Sequence, residues 1–544
     1  MPELLLGPVL RYVGPACATI WVETAQACEV EILGCQERTF CVCGRHYAIV
    51  AVENLEPDTT TPYEVRLDGE LVWPRADFAF PPSVIRTIGE DRERLRISFG
   101  SCRVAVPQVT PWTLSKDTDE HGREVDALFA LARRMRESDP STWPDQLLLL
   151  GDQVYADEDA PRTREYIRGR RDTSGEPGDH VQDYEEYGHL YGETWGGPNI
   201  RWLLSTVPTA MLFDDHDVHD DWNVSEAWVE EMRAKPWWEE HIAAALSSYF
   251  VYQHLGNLSP EELRSSRLLA RMRDCDDAGP LMHSWACEAD REVNGSRFSH
   301  ARMLGRTRLV MLDSREGRVL TPDERRIVDD EEWAWIEERA TGGVDHLILA
   351  DTLPMFFSPA FHHAEAFSEA VAGGAWGALM ARVGEKARRA FDLEHWAAFN
   401  HSFRRICDLV TRVSAGERGD PPASIVMLGG DVHHAYAARV KAGGESAVWQ
   451  AVCSPLRNPL KKTERRQAGL GFSLRIARLA RALARRAGVP DPPLDWEVTD
   501  GPYFDNQVAT LEFDGRAATL RVERTTDGGW RRPGLRTSLE RRLV

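Results

Sequence analysis

Four short segments of the chain gather residues able to hold metal ions. Residues 211–223, MLFDDHDVHDDWN, set Asp214, Asp215, Asp217, Asp220, Asp221, His216 and His219 directly behind an apolar run. Burying so many carboxylates costs several kcal/mol per ion unless a cation neutralises them. Divalent or trivalent metal is the natural partner of clustered carboxylate oxygen and imidazole nitrogen; a solvated acidic turn is the alternative. In Phe99-Gly100-Ser101-Cys102-Arg103 the cysteine reads as a metal ligand, a nucleophilic thiolate beside Arg103, or a buried thiol. Gly151-Asp152-Gln153-Val154-Tyr155 follows four leucines. A carboxylate there can bridge two cations, and Tyr155 lies three residues on, within reach of the same ion; Asp152 as a helix cap is the plainer reading. In Gly429-Gly430-Asp431-Val432-His433-His434, Asp431 and His433 can face one site.

Each segment ends an apolar stretch that reads as a strand: 95–99, 146–150, 210–213 and 424–428, with further strands at 308–312 and 346–350. Helical periodicity covers 125–137, 323–339 and 396–412. Strand, loop and helix in alternation predict an α/β core with ligands at the carboxyl ends of the strands. Residues 1–90 instead alternate apolar and polar in short runs at 18–24, 28–33, 48–55 and 63–67, a small β-sandwich of fibronectin III style with a structural or lid role. The expected domains are therefore 1–90, a catalytic unit over 91–455 with insertions at 157–202 and 222–298, and 456–544, which closes the core. That last part contains one basic amphipathic helix over 461–488, either a solvated surface helix or an attractor of anionic substrates and surfaces. It ends in strands 507–513 and 517–524 around Asp514-Gly515, a hairpin signal.

With 544 residues and 42% hydrophobic residues, the chain is a globular, multidomain protein. No apolar run reaches the ~20 residues of a membrane span. The N-terminal residues show no basic region, apolar core or twin-arginine start, so a cytoplasmic location is expected. None of the ten cysteines forms a CxxC pair, consistent with reduced thiols. A net charge of −21 argues against general nucleic-acid binding.

Taken in order, FGSCR, GDQVY, DDHD, LDSR (312–315) and GGDVHH resemble the alkaline phosphatase D (PhoD-like) family of the calcineurin-like metallophosphatase superfamily. The resemblance covers most of 95–455, and the leading β-module and closing hairpin match the family's layout. It implies a metallophosphatase β-sheet sandwich flanked by helices. It further implies that Asp152 bridges two metals and that Tyr155 binds ferric ion as a phenolate. Cys102 would be a thiolate ligand and Asp215 would hold the second metal. His216 would be general acid or phosphate contact, and Asp431 and His433 would complete the metal ligands. The superfamily's metal-binding histidine after the strand ending at Ala350 is replaced by Asp351-Thr352. His219 and His434 are extra and read as neighbours of the ligands; Asp214 and Asp217 read likewise, with Asp220 and Asp221 facing water.

The expected activity is phosphoester hydrolysis through a water activated by two metals, with His216 protonating the leaving group and Arg103 balancing charge on phosphate oxygens. Fe3+ with Ca2+ suits the donor set; Mn2+ or Zn2+ is the alternative pair. Rival readings are a phosphodiesterase or phospholipase D-like activity on the same site, a non-catalytic metal-binding scaffold, and a hydrolase built on the Cys102 thiol.

Overall fold

In the computed structural model, which describes residues 2–544 apart from 76, 78, 159, 294–295, 322–323 and 527–532, the apolar runs form the middles of two stacked sheets. Strands β1 (Arg94–Gly100), β2 (Gln146–Leu150) and β3 (Thr209–Leu212) run parallel at one side of the first sheet. The second sheet contains β4 (His300–Leu304), β5 (Thr307–Met311), β6 (His346–Ala350), β7 (Ser424–Gly429), β8 (Ala435–Lys441), β9 (Ala447–Val452) and β10 (Asp495–Tyr503). Its order is β4-β5-β6-β7-β9-β8-β10, with β5, β6, β7 and β9 parallel. β11 (Gln507–Asp514) pairs antiparallel with β1 and extends the first sheet through β12 (Ala517–Thr526) and β13 (Gly534–Arg542). The turn joining β11 to β12 passes Gly515 at φ +57°, the left-handed conformation a tight hairpin requires.

Period-two geometry explains why the central strands are apolar on every residue. Leu148 and Leu150 of β2 pack between the sheets with Phe99, Leu212, Ile348 and Leu428, while Leu147 and Leu149 face the opposite layer. In the second sheet, Leu347, Leu349, Ile425 and Met427 turn outward under α2 (Asp330–Arg339) and α4 (Asn400–Ser414). On the first sheet the outer layer begins with α1 (Ala127–Glu137), whose Asp126 accepts from the amides of Leu128 and Phe129.

Helix boundaries differ from the periodic pattern where caps intervene. α2 begins at Asp330 because the Asp329 carboxylate caps the Glu331 and Glu332 amides at 2.6 and 2.9 Å; residue 323, where the pattern would start it, lies outside the described residues. The 396–412 stretch is one turn of tighter helix, Trp396–Ala398, followed by α4. The basic segment is two helices, α5 (Lys462–Leu470) and α6 (Leu474–Arg486). The break falls where Gly471 lies against α3 (Pro359–Ala372), so close that a Cβ would sit 2.5 Å from the Phe361 ring.

The N-terminal region is all β. Two four-stranded antiparallel sheets enclose Leu10, Ile20, Val30, Val50 and Trp73. Its other face carries Trp21 and Tyr47, whose rings lie 5.2 and 5.4 Å from Tyr252. The buried Arg11 donates to the Gln253 carbonyl at 2.6 Å and to Asn257 Oδ1 at 3.1 Å. These contacts set the β-region behind the first sheet, against the helices of the 157–202 and 222–298 segments.

Candidate metal centre

The ends of β1, β2, β3 and β7 converge at one edge of the sandwich. Four non-glycine residues there adopt left-handed backbone: Cys102 (φ +56°), Asp152 (+50°), Asp431 (+61°) and His433 (+52°). Each such residue costs about 1–2 kcal/mol, and clustering of this kind marks functional sites. Neighbouring glycines make room for them. A Cβ on Gly151 (φ +99°) would come within 2.6 Å of the Asp214 side chain, and one on Gly430 within 2.3 Å of Ser101 Oγ.

The side chains form two adjoining groups. Ligand atoms of Cys102, Asp152 and Asp431 lie within 4.8 Å of one another, as do those of Asp152, Asp214, Asp215 and Asp431. Asp152 and Asp431 belong to both. Tyr155 Oη donates to Asp152 Oδ2 at 3.1 Å, while the buried Asp152 Oδ1 has no hydrogen-bond partner among the described residues. Cys102 Sγ accepts from Ser454 Oγ at 3.1 Å, and Ser101 Oγ accepts from the Asp431 amide at 2.9 Å.

Burial, reinforced by Asp214, Asp215 and Asp217 against the pull of His216, pushes the Asp152 carboxyl well above the usual carboxylate range. Burial followed by Asp152 and Asp431 does the same to the Cys102 thiol, and burial followed by Asp152 and Cys102 to the Tyr155 phenol. A thiol, a phenol and the carboxyls of Asp152, Asp214 and Asp215 that resist ionisation beside one another fit a cation site, since a bound ion reverses each of these penalties. Asp431 is the exception, burial being outweighed by His395 and Arg315, which hold it well below the usual range. The same surroundings oppose a free Cys102 thiolate nucleophile.

One protein cation already sits in the cluster. Arg315, fully buried, donates from Nε to Asp214 Oδ1 at 2.6 Å, from Nη2 to Asp215 Oδ1 at 3.3 Å, and pairs with Glu394 at 2.7 Å. Asp214 also accepts from Thr352 Oγ1. Its oxygens are thus held by protein donors, whereas Asp152 keeps one free. His216 presents Nδ1 to Asp157 Oδ1 at 2.9 Å, and its ring lies 4.6 Å from that of Tyr155. Burial opposes its charge, but Asp157 and Asp215 outweigh that and hold its pKa well above normal. Asp157 also accepts from the Asp220 amide at 2.7 Å, which fixes the imidazole from behind.

Of the residues singled out in the sequence, Cys102, Asp152, Asp215 and Asp431 are brought together, with Tyr155 on Asp152 and His216 at the rim. His433 lies outside both ligand groups, but its buried Nδ1 has no hydrogen-bond partner among the described residues. Arg103 points elsewhere. Its guanidinium pairs with Asp126 at 2.7 Å and donates to the Thr194 carbonyl at 2.9 Å, lining a cavity of about 380 Å³ on the other side of the chain. The guanidinium that meets the cluster's carboxylates is that of Arg315. The Arg103 backbone is fixed locally by an isolated bridge to Arg457 and by its amide, which donates to the Asp152 carbonyl at 3.2 Å. Asp351 faces Ser314 Oγ (2.6 Å) and Trp396 Nε1 (2.5 Å), away from the cluster. His395 comes in from another element, with Nε2 3.3 Å from Asp431 Oδ2 and Nδ1 2.7 Å from Glu365. Burial opposes its charge, yet Glu365 and Asp431 raise its pKa to about 10. Asp217 accepts from the Asp214 amide at 3.0 Å and shapes the turn. Asp221 does not face water freely: its Oδ1 is buried, and burial followed by Asp392 and Glu394 lifts its pKa to about 9. His219 packs among Trp228, Trp237 and Trp238, and His434 among Phe357, Tyr436 and Phe472. Arg315, Asp157, Glu394 and His395 escaped the sequence reading, although Arg315 closes LDSR and Asp157 lies two residues beyond GDQVY.

Residues 122–341 match the family model described as PhoD-like phosphatase. The chain carries a PhoD-like phosphatase domain. It is accordingly a metallophosphatase, an enzyme of the metal-dependent phosphoesterase class. Residues 1–85 match a domain of unknown function, DUF7800. Among solved structures, one described as PhoD superposes with a TM-score of 0.60 at 13% identity, covering 100% of this chain and 92% of its own. That similarity establishes the shared fold of β-region and sheet-and-helix core. A purple acid phosphatase, PPD1, from yellow lupin (Lupinus luteus) seeds aligns over 95% of this chain and 71% of its own, at 11% identity and a TM-score of 0.47. No curated protein matches the sequence. No helix among the described residues is long and apolar enough to cross a membrane.

Proposed function

We propose that the PhoD-like domain hydrolyses phosphoesters with two cations held side by side at the strand ends. The observation that carries this reading is the pair of ligand groups sharing Asp152 and Asp431. Cys102, Tyr155 and Asp152, with His433 adjacent, offer sulfur, phenolate, carboxylate and imidazole, a set that suits a trivalent ion such as Fe3+. Asp152, Asp215 and Asp431 offer oxygen alone, which suits Ca2+, with Mn2+ or Zn2+ as the alternative occupants. When bound, such ions polarise phosphoryl oxygens and make a water acidic enough to attack phosphorus in line.

The chain's own residues do the remainder. Asp152 keeps its partnerless oxygen for the shared position, and the Gly151 turn brings it there. Arg315 compensates Asp214 and Asp215, so that the cluster is not assembled from anions alone. His216, oriented and kept protonated by Asp157, donates a proton from Nε2 to the leaving oxygen. A purely scaffolding role has no use for a thiol, a phenol and three carboxylates converging on strained backbone.

Metal analysis of the purified protein, with parallel turnover of a monoester and a diester chromogenic substrate, tests the proposal. Two metal equivalents lost together with activity on chelation are expected. Full activity without bound metal refutes it.

A further inference from the structure

α6 is built the wrong way round for a helix that only meets water. It lays Ala477, Ala480 and Ala484 against the body of the protein and points its larger residues outward. Leu474 is 68% exposed and Leu479 62%, with Leu470 at the end of α5 at 54%. At 100° per residue, Leu474, Arg475, Arg478, Leu479 and Arg486 fall on the same outward half. Arg481 and Arg485 close on Asp491 at 2.9 and 2.5 Å, whereas no ion pair among the described residues engages Arg475, Arg478 or Arg486. Three uncompensated arginines on a chain of net charge −21 form a local inversion of sign. Alternating exposed leucines with such arginines is the pattern of a helix lying in a lipid interface, leucines among acyl chains and guanidinium groups among phosphates.

The helix also has a place relative to the site. Phe472, in the turn between α5 and α6, packs 5.4 Å from the ring of His434, the residue after His433. At the other end of the connection, Asn458 meets Lys116 Nζ at 3.5 Å and backs His433. The segments on either side of α5 therefore lie beside His433 and His434, and α6 continues from there.

We propose that the outward face of α6 docks the protein onto an anionic lipid bilayer and holds the metal centre against phosphoesters at that surface. The docking rests on the helix alone; the choice of substrate rests in addition on the phosphoesterase reading above. Co-sedimentation with vesicles of phosphatidylcholine, alone or mixed with phosphatidylglycerol, tests it. Binding is expected to the mixed vesicles only, weakened by salt. Arg475→Gln/Arg478→Gln/Arg486→Gln should lose on the order of a hundredfold in binding, and Leu474→Ser/Leu479→Ser tenfold or more. All five side chains face solvent, so hydrolysis of a soluble diester by both variants should match the wild type. Failure of the wild type to bind mixed vesicles overturns the proposal, as does equal binding by the variants. So does a dimer that Leu474→Ser/Leu479→Ser dissociates while vesicles stay unbound, since the face then belongs to a second copy. Vesicle binding without any phosphoester hydrolysis upholds the docking and removes the catalytic reading instead.

Discussion

Arg315 is the residue whose removal says most about how the cluster is held together. It is fully buried and meets Asp214, Asp215 and Glu394 within 3.3 Å, with Asp431 at 4.0 Å. Arg315→Met keeps most of the volume and deletes the charge. Breaking a buried ion pair by removing one partner costs about 3–5 kcal/mol, because the other charge stays behind in low dielectric. At about 1.3 °C per kcal/mol for a unit of about 365 residues such as 91–455, the unfolding temperature should fall by about 4–7 °C. The fall should be larger in chelated protein than in metal-loaded protein, since bound cations neutralise the same carboxylates. Arg315→Lys should lie between, because one ammonium cannot span the carboxylates that the planar fork reaches. Differential scanning calorimetry at one fixed scan rate, with and without chelator, gives the comparison. An Arg315→Met protein that unfolds at the wild-type temperature after chelation would show that the guanidinium is not what balances these charges.

Asp152→Asn should release both metals and lower turnover by on the order of 10³-fold or more, the loss of several kcal/mol of transition-state charge stabilisation; metal content and kcat measured on one sample check it. If ferric iron occupies the Cys102–Tyr155 side, the protein is coloured, and Tyr155→Phe moves or abolishes the visible band; a colourless, iron-free, fully active preparation counts against that occupant. Gly430→Ala should cost about 1–3 kcal/mol and activity together, because its Cβ would press on Ser101 Oγ and through it on the Asp431 amide; equilibrium unfolding alongside kinetics reads both. Remote from the centre, burial followed by His363 lowers the His362 pKa to about 3. The unfolded chain then binds more protons than the folded one between about pH 6.5 and 3, so stability falls as the solution is acidified through that window. His362→Leu should flatten that decline, which pH-dependent urea unfolding would reveal.

The strands were readable because burial on both faces leaves no polar position. Residues 146–150 and 346–350 of the sequence are β2 and β6 to the residue. Cys102, Asp152, Asp215 and Asp431 were readable as a set because each directly follows such a run. Arg315 was harder to place. It follows β5 in the second sheet while Asp214 and Asp215 follow β3 in the first, and no spacing in the sequence says that those two ends meet across the sandwich. His395 follows no strand at all, and it reaches Asp431 only because the chain returns there after an excursion through two helices. Arg103 shows the limit of adjacency: one residue from Cys102 in the chain, its guanidinium pairs with Asp126 and the Thr194 carbonyl. The basic segment showed its charge but not its break, which depends on what Gly471 packs against.

The left-handed backbone at Cys102, Asp152, Asp431 and His433 bears on how this protein can change. Glycine is the residue best suited to each of those conformations, so a glycine there would relax the chain locally while deleting a functional side chain. Four such positions amount to about 4–8 kcal/mol of tension, comparable to the whole net stability of many domains. A search for heat-resistant variants that ignores activity should therefore drift toward these sites first and return sturdier, inert proteins. Selection for endurance and selection for chemistry pull in opposite directions at the same four residues.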